Sequence, residues 1–166
     1  GWIAVETNVG AGSEFKVFLP AAPPDAQPES LSPAGSKPDS GSETILLVED
    51  DADVREFTVA VLQDYGYRVL QAAGGTEALE VWKWHGARIA LLLTDMILEG
   101  DQTGIELAAA LRRERPALAV ICTSGHGREI MQHSAALPGG CHFLQKPCRP
   151  QALAHAIRSI LDDKIP

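Results

Sequence analysis

Long hydrophobic runs are missing from this 166-residue chain. Segments such as Ile89–Leu93 and Leu118–Cys122 fall far short of the ~20 apolar residues that cross a bilayer as a helix, so no direct membrane contact is expected. Basic residues are also scarce: 14 Lys and Arg stand against 22 Asp and Glu, a formal net charge of −8. A nucleic-acid groove needs clustered cations to displace counterions from phosphates, and this balance argues against nucleic acid as a partner. Cysteine is rare, with Cys122, Cys141 and Cys148 forming an odd set and no CxxC pair. That pattern favours a reducing cytoplasm over a disulfide framework. His85, His126, His133, His142 and His155 show no tight metal-ligand spacing. No basic start followed by an apolar core marks a signal peptide.

What is present is the composition of a folded domain, with 45% hydrophobic and 22% charged residues. The eleven prolines are uneven, since six of them (Pro20, Pro23, Pro24, Pro28, Pro33 and Pro38) fall between residues 20 and 43. The same stretch carries Ser30, Ser32, Ser36, Ser40 and Ser42 and only one large aliphatic residue, Leu31. It cannot bury enough surface to offset the entropy of ordering, so 21–43 reads as a linker. Before it, Trp2–Glu6 and Glu14–Leu19 read as two short strands joined by a turn rich in Gly and Asn. A lone hairpin is marginal in water, so 1–20 is expected to be the end of a larger domain.

From Thr44 strands alternate with helical periods. The strands are expected at Thr44–Val48, Tyr67–Gln71, Ile89–Thr94, Leu118–Thr123 and His142–Gln145, several of them almost continuously apolar. Such runs belong to parallel strands covered on both faces. Val54, Phe57, Val61, Leu62 and Tyr65 make one helical stripe, and Leu153, Ala156, Ile157, Ile160 and Leu161 another. Thr76 and Thr103 are expected as N-caps and Gly66 as a left-handed helix end. Five βα units imply an α/β fold: an open, doubly wound, five-stranded parallel sheet with right-handed crossovers.

In such a sheet the ligand site lies at the carboxyl ends of the strands. Glu49 and Asp50 follow the first strand, Asp95 ends the third, Ser124 follows the fourth and Lys146 the fifth. Three carboxylates brought to one rim repel unless a cation or Lys146 offsets them. Mg²⁺ suits the set, because it takes one or two carboxylates and keeps waters for a phosphate-bearing partner. Asp51-Ala52-Asp53 also has the DxD spacing of an aspartyl-phosphate phosphatase. That nucleophile should directly follow its strand, so these two acids fit a helix start better.

Ile45-Leu46-Leu47-Val48-Glu49-Asp50-Asp51, Leu93-Thr94-Asp95-Met96, Thr123-Ser124-Gly125 and Phe143-Leu144-Gln145-Lys146-Pro147, in this order, resemble the receiver domain of two-component response regulators. The resemblance spans about 44–164 and implies a flavodoxin-like sheet of order 2-1-3-4-5. It implies further that Asp95 accepts a phosphoryl group, and that Asp50, Asp95 and the backbone carbonyl of Ile97 ligate Mg²⁺, with Glu49 acting through a bound water. Ser124 would hydrogen-bond the phosphoryl oxygens, Lys146 would neutralise them, and Phe143 would swing inward as Ser124 engages. Ile97 and His126 would govern access of the hydrolytic water. Several positions depart from the family pattern: Glu49 for the commoner Asp, Ser124 for Thr, Glu99 for Pro, and Cys148 for Phe. Residues 1–20 resemble the final strands of a histidine-kinase ATP-binding domain. Kinase, linker and receiver in that order imply the C-terminal part of a hybrid sensor kinase, fed by a histidine-containing phosphodonor in a phosphorelay. By that reading the chain itself binds no ATP, and its enzymatic activity is confined to its own phosphorylation. The alternatives are a receiver-like docking module without phosphoryl turnover and, more distantly, a small phosphatase.

Overall fold

The computed structural model describes residues 1–10, 12–20, 39–100, 102–125 and 141–163. The chain divides into two units, one holding an N-terminal strand pair and the other, from Ser36 onward, a five-stranded sheet with its helices. In the first, β1 (Trp2–Asn8) and β2 (Gly12–Phe18) pair antiparallel from Trp2 opposite Phe18 to Asn8 opposite Gly12. The pairing runs further towards the turn than the expected Glu6 and Glu14. Thr7 and Ser13 hydroxyls meet across it at 3.0 Å, and Gly10 and Gly12, at φ 82° and 94°, supply the positive φ of the reversal. Trp2 and Phe18 rings stack at 4.0 Å. Ile3, Val5, Phe15 and Val17 share the other face, each more than half exposed.

The second unit runs β3 (Thr44–Val48), α1 (Ala52–Asp64), β4 (Arg68–Ala72), α2 (Gly75–His85), β5 (Ile89–Asp95), α3 (Gly104–Glu114), β6 (Ala119–Ser124), β7 (Cys141–Gln145) and α4 (Pro150–Asp162). The sheet order is β4-β3-β5-β6-β7, with every neighbouring pair parallel. Counted within the unit, this is the expected 2-1-3-4-5 order of a flavodoxin-like sheet. Alternate strand residues feed two cores. Leu46, Leu92 and Val120 pack with Trp82, Leu107 and Leu111 of α2 and α3. Ile45, Leu91 and Ile121 pack with Leu62, Leu153 and Ile157 of α1 and α4. Each such fully buried aliphatic side chain stabilises the unit by about 1.5–3 kcal/mol relative to exposure, which is why the strands read as unbroken apolar runs.

Local chemistry sets the helix starts. Asp51 caps α1, its Oδ1 accepting from Asp53 N at 2.9 Å and Val54 N at 3.0 Å. Thr103 and Glu106 form a reciprocal capping box on α3. Thr76 does not cap α2. That helix begins at Gly75 behind Gly74, while Glu77 reaches back to Ala73 N at 2.7 Å. A Cβ on Gly75 would lie 2.5 Å from Gln102 Oε1, so the small residue lets the loop before α3 pack against the α2 start. Gly66 closes α1 at φ 89°, as expected. Trp82 is buried with its Nε1 donating to Glu114 at 2.8 Å, whereas Trp84 is 78% exposed. The helix expected between β6 and β7, His126, His133 and most of the linker lie outside the described residues. Among the described residues no helix is long and apolar enough to cross a membrane.

Packing in this unit reaches back before β3, into residues with linker composition. Gly41 N donates to Tyr65 O at 3.0 Å, Tyr67 Oη to Asp39 O at 3.3 Å, and Arg158 Nη1 of α4 to Glu43 Oε1 at 2.8 Å. Burial opposes the Glu43 charge, but the Arg158 hydrogen bond prevails and holds the carboxyl below its ordinary range. A folded-state value below the unfolded one adds stability at neutral pH that is lost as pH falls through the folded value. Glu43→Gln is therefore expected to lower stability at pH 7 by about 0.5–1 kcal/mol. The gap to wild type should close between about pH 5 and pH 3 in urea melts.

Candidate functional site

The rim is built where four strands end. β3 stops at Val48, and Glu49 N donates to Ala72 O at 3.2 Å, so Glu49 still follows the sheet and turns its side chain inward, 4% exposed. Arg55, in the first turns of α1, donates to Glu49 O at 2.7 Å and Asp50 O at 3.2 Å. These bonds pin the turn that presents both acids. Arg55 escaped the sequence reading, because a side chain that serves two main-chain carbonyls leaves no motif.

Asp95 is the last residue of β5. Beyond it, Met96 N donates to Thr123 O at 2.9 Å and Gly104 N to Met96 O at 3.1 Å. A Cβ on Gly104 would sit 1.8 Å from Asp95 O. Only glycine lets α3 start this close behind the acid. Ser124 ends β6 at 1% exposure, and its carbonyl accepts from Lys146 N at 2.8 Å, extending the β6–β7 ladder by one residue. That bond brings Lys146 to the rim, just ahead of a cis peptide to Pro147.

Four of the predicted residues, Glu49, Asp50, Asp95 and Lys146, come together at the rim. Carboxylate oxygens of Glu49, Asp50 and Asp95 lie within 4.8 Å of one another. Lys146 Nζ stands 2.6 Å from Glu49 Oε2 and 2.6 Å from Asp95 Oδ2. Asp95 Oδ1 accepts from Ile97 N at 3.1 Å, and Asp50 Oδ2 from Glu99 N at 3.3 Å. Phe143 sits on β7 opposite Cys122 of β6, half-buried against the core. Asp51 caps α1 through its Oδ1, the helix-start role expected of it, and the carboxylates gathered at the rim are those of Glu49, Asp50 and Asp95. A cavity of about 450 Å³ opens beside Lys146, lined by Val54, Phe57, Leu93, Cys148 and Leu153.

Electrostatics follow from the crowding. Burial raises the Glu49 carboxyl above its ordinary value; Lys146 works against that, while Asp95 and Asp50 add to it. Burial also disfavours the Lys146 ammonium, yet its hydrogen bonds to Asp95 and Glu49 prevail and raise it above the usual lysine value. The acid cluster offers hard oxygen donors with no sulfur or imidazole among the described residues, a set that fits Mg²⁺ better than a thiophilic metal.

Residues 45–158 match the family model of the response regulator receiver domain. The chain is 32% identical to the sensor kinase CckA of Brucella abortus (strain 2308), in an alignment that covers 98% of this chain and 18% of that kinase. It thus spans about a fifth of that relative's length. It is also 32% identical to the response regulator receiver protein CpdR of the same organism, over 70% of this chain and 95% of CpdR. A crystal structure of the receiver domain from the hybrid histidine kinase CckA superposes with a TM-score of 0.61 at 32% identity, covering 71% of this chain and 98% of that one. A receiver protein from Sinorhizobium medicae WSM419 gives 0.69 at 26% identity, over 75% and 98%.

Because three acids share one rim with one lysine, removing the charge that Lys146 does not touch should relieve the fold. Asp50→Asn is expected to raise the thermal midpoint of the metal-free chain by a few degrees at pH 7. It should also shrink the further rise that Mg²⁺ gives the wild type. Differential scanning calorimetry with and without Mg²⁺ checks both.

Proposed function

The chain belongs to the response regulator receiver family, and from that premise we propose that it is the phosphoacceptor segment of a hybrid histidine kinase, taking a phosphoryl group from phosphohistidine onto Asp95. The observation that carries this reading is the Lys146 ammonium at 2.6 Å from both Glu49 and Asp95. It puts a positive charge beside Asp95, the carboxylate that ends the central strand β5.

In the proposed transfer an Asp95 carboxylate oxygen attacks phosphorus in line, the P–N bond to the imidazole breaks, and the histidine leaves with that electron pair. Phosphoryl transfer depends mainly on position and on stabilising charge spread over the three equatorial oxygens. Lys146 exchanges part of its contact with Asp95 for a phosphoryl oxygen, and the Ser124 hydroxyl donates to another. Asp50, Asp95 and the Ile97 carbonyl, with Glu49 acting through a bound water, would hold Mg²⁺, which would supply Lewis-acid stabilisation of the same oxygens. Phe143 is the proposed reporter, moving inward as Ser124 engages. The partner is a histidine-containing phosphodonor. Val54 and Phe57, exposed on α1 and lining the cavity beside Lys146, offer it an apolar landing.

The larger context is proposed on two grounds. The alignment with the Brucella kinase includes the strand pair and the linker as well as the receiver. The strand pair also carries an apolar face of Ile3, Val5, Phe15 and Val17 that a two-stranded hairpin cannot bury by itself. Residues 1–20 are accordingly assigned to the end of a kinase ATP-binding domain, 21–43 to a linker and 44–164 to the receiver, working in the cytoplasm within a phosphorelay.

Mixing the chain with Mg²⁺ and acetyl phosphate and then measuring intact mass tests the acceptor. Wild type should gain one phosphoryl group and Asp95→Asn none. Unmodified wild type would indicate a docking module, and steady turnover of varied phosphoesters a phosphatase.

A further inference from the structure

Lys146 serves Glu49 and Asp95; the Asp50 carboxylate is met from another direction. Two alternate amides of the loop leaving β5 face the acids, Ile97 N–H donating to Asp95 Oδ1 at 3.1 Å and Glu99 N–H to Asp50 Oδ2 at 3.3 Å. The two acceptors stand at the ends of neighbouring strands, so a single loop ties both acids. The loop is itself held. Gly104 N bonds Met96 O at 3.1 Å on one side, Leu98 is buried in the core, and Gly100 at φ 118° lets the chain turn directly after Glu99. The Glu99 side chain is exposed and its main chain makes the contact. Any residue with an N–H could donate this bond, and proline, which the family pattern carries at this position, could not, so the bond is an addition of this chain to that pattern.

We propose that Glu99 is a positioning residue for cation binding, acting through its main-chain N–H. Held by that bond, the Asp50 carboxylate is already turned towards Glu49 and Asp95 before a cation arrives, so less rotational freedom is lost on binding. The same bond makes the 96–100 loop responsive to whether Asp50 is engaged, beside the Asp95 that reacts. This rests on the Mg²⁺ reading of the acid cluster given above, and adds to it a role for a residue outside the ligand set.

Calorimetric titration of Mg²⁺ into the metal-free chain separates the possibilities. Glu99→Ala keeps the N–H and should bind within about twofold of wild type, whereas Glu99→Pro should bind about three- to tenfold more weakly. Equal affinity of wild type and Glu99→Pro overturns the inference, as does Glu99→Ala binding as weakly as Glu99→Pro. Amide hydrogen exchange gives a second readout independent of any loop distortion by proline. The Glu99 amide should exchange slowly in wild type and markedly faster in Asp50→Ala, and equal rates in the two overturn the inference as well. Wild type that takes up no Mg²⁺ in the same titration defeats the metal reading itself, a different outcome from these.

Discussion

Lys146 Nζ lies 2.6 Å from Glu49 and 2.6 Å from Asp95, and the rest of the site is arranged around that shared ammonium. Without it, three carboxylates within 4.8 Å of one another would repel by about 3–4 kcal/mol per pair at an effective dielectric near 20. One cation at shorter range to two of the three offsets most of this. It leaves Asp50 as the charge still to be balanced, and so leaves a reason for the rim to take up a divalent ion. The raised Glu49 carboxyl and the raised Lys146 ammonium are two sides of this arrangement: burial penalises both charges, and their contact restores only part of the loss for the acid.

Holding those groups in register falls to the sheet. The parallel order β4-β3-β5-β6-β7 places the ends of β3 and β5 side by side, which brings Glu49 and Asp50 next to Asp95. The bond from Lys146 N to Ser124 O then carries the last strand one step beyond its neighbour, so that a lysine from β7 reaches across to acids on β3 and β5. Two buried aliphatic cores, one on each face, supply the stability that a repulsive rim draws down. Gly104 shows how tight the arrangement is, because even a methyl group there meets the Asp95 carbonyl.

Much of this was legible in the residues. Strands covered on both faces write themselves as apolar runs, and the polar residue that ends each run falls on the rim, so Glu49, Asp50, Asp95, Ser124 and Lys146 could be placed together before any coordinates. Thr103 and Gly66 were legible because capping and left-handed termini demand particular residue types. What stayed hidden depends on the main chain or on long-range packing. Arg55 binds carbonyls, and Glu99 stands out as a departure from the family's proline without revealing that its amide is what meets Asp50. Gly74 takes the place of Thr76 as the cap of α2, and the Gly75 that follows it leaves room for Gln102, far off in sequence. The segment Asp39–Glu43 has linker composition, yet Arg158 and Tyr67 fasten it to the sheet unit. Composition reports the average tendency of a stretch and misses one well-placed ion pair.

The shared ammonium is also the most directly measurable element. Side-chain ¹⁵N NMR can follow Nζ of Lys146 in the folded chain and in the urea-unfolded chain. Lys146 should stay protonated to a higher pH in the folded chain, because the carboxylates of Glu49 and Asp95 hold its proton more strongly than burial repels it. If Lys146 instead loses its proton at a lower pH when folded, burial outweighs the two carboxylates, the bridge is not the stabilising centre of the rim, and the account of the site fails.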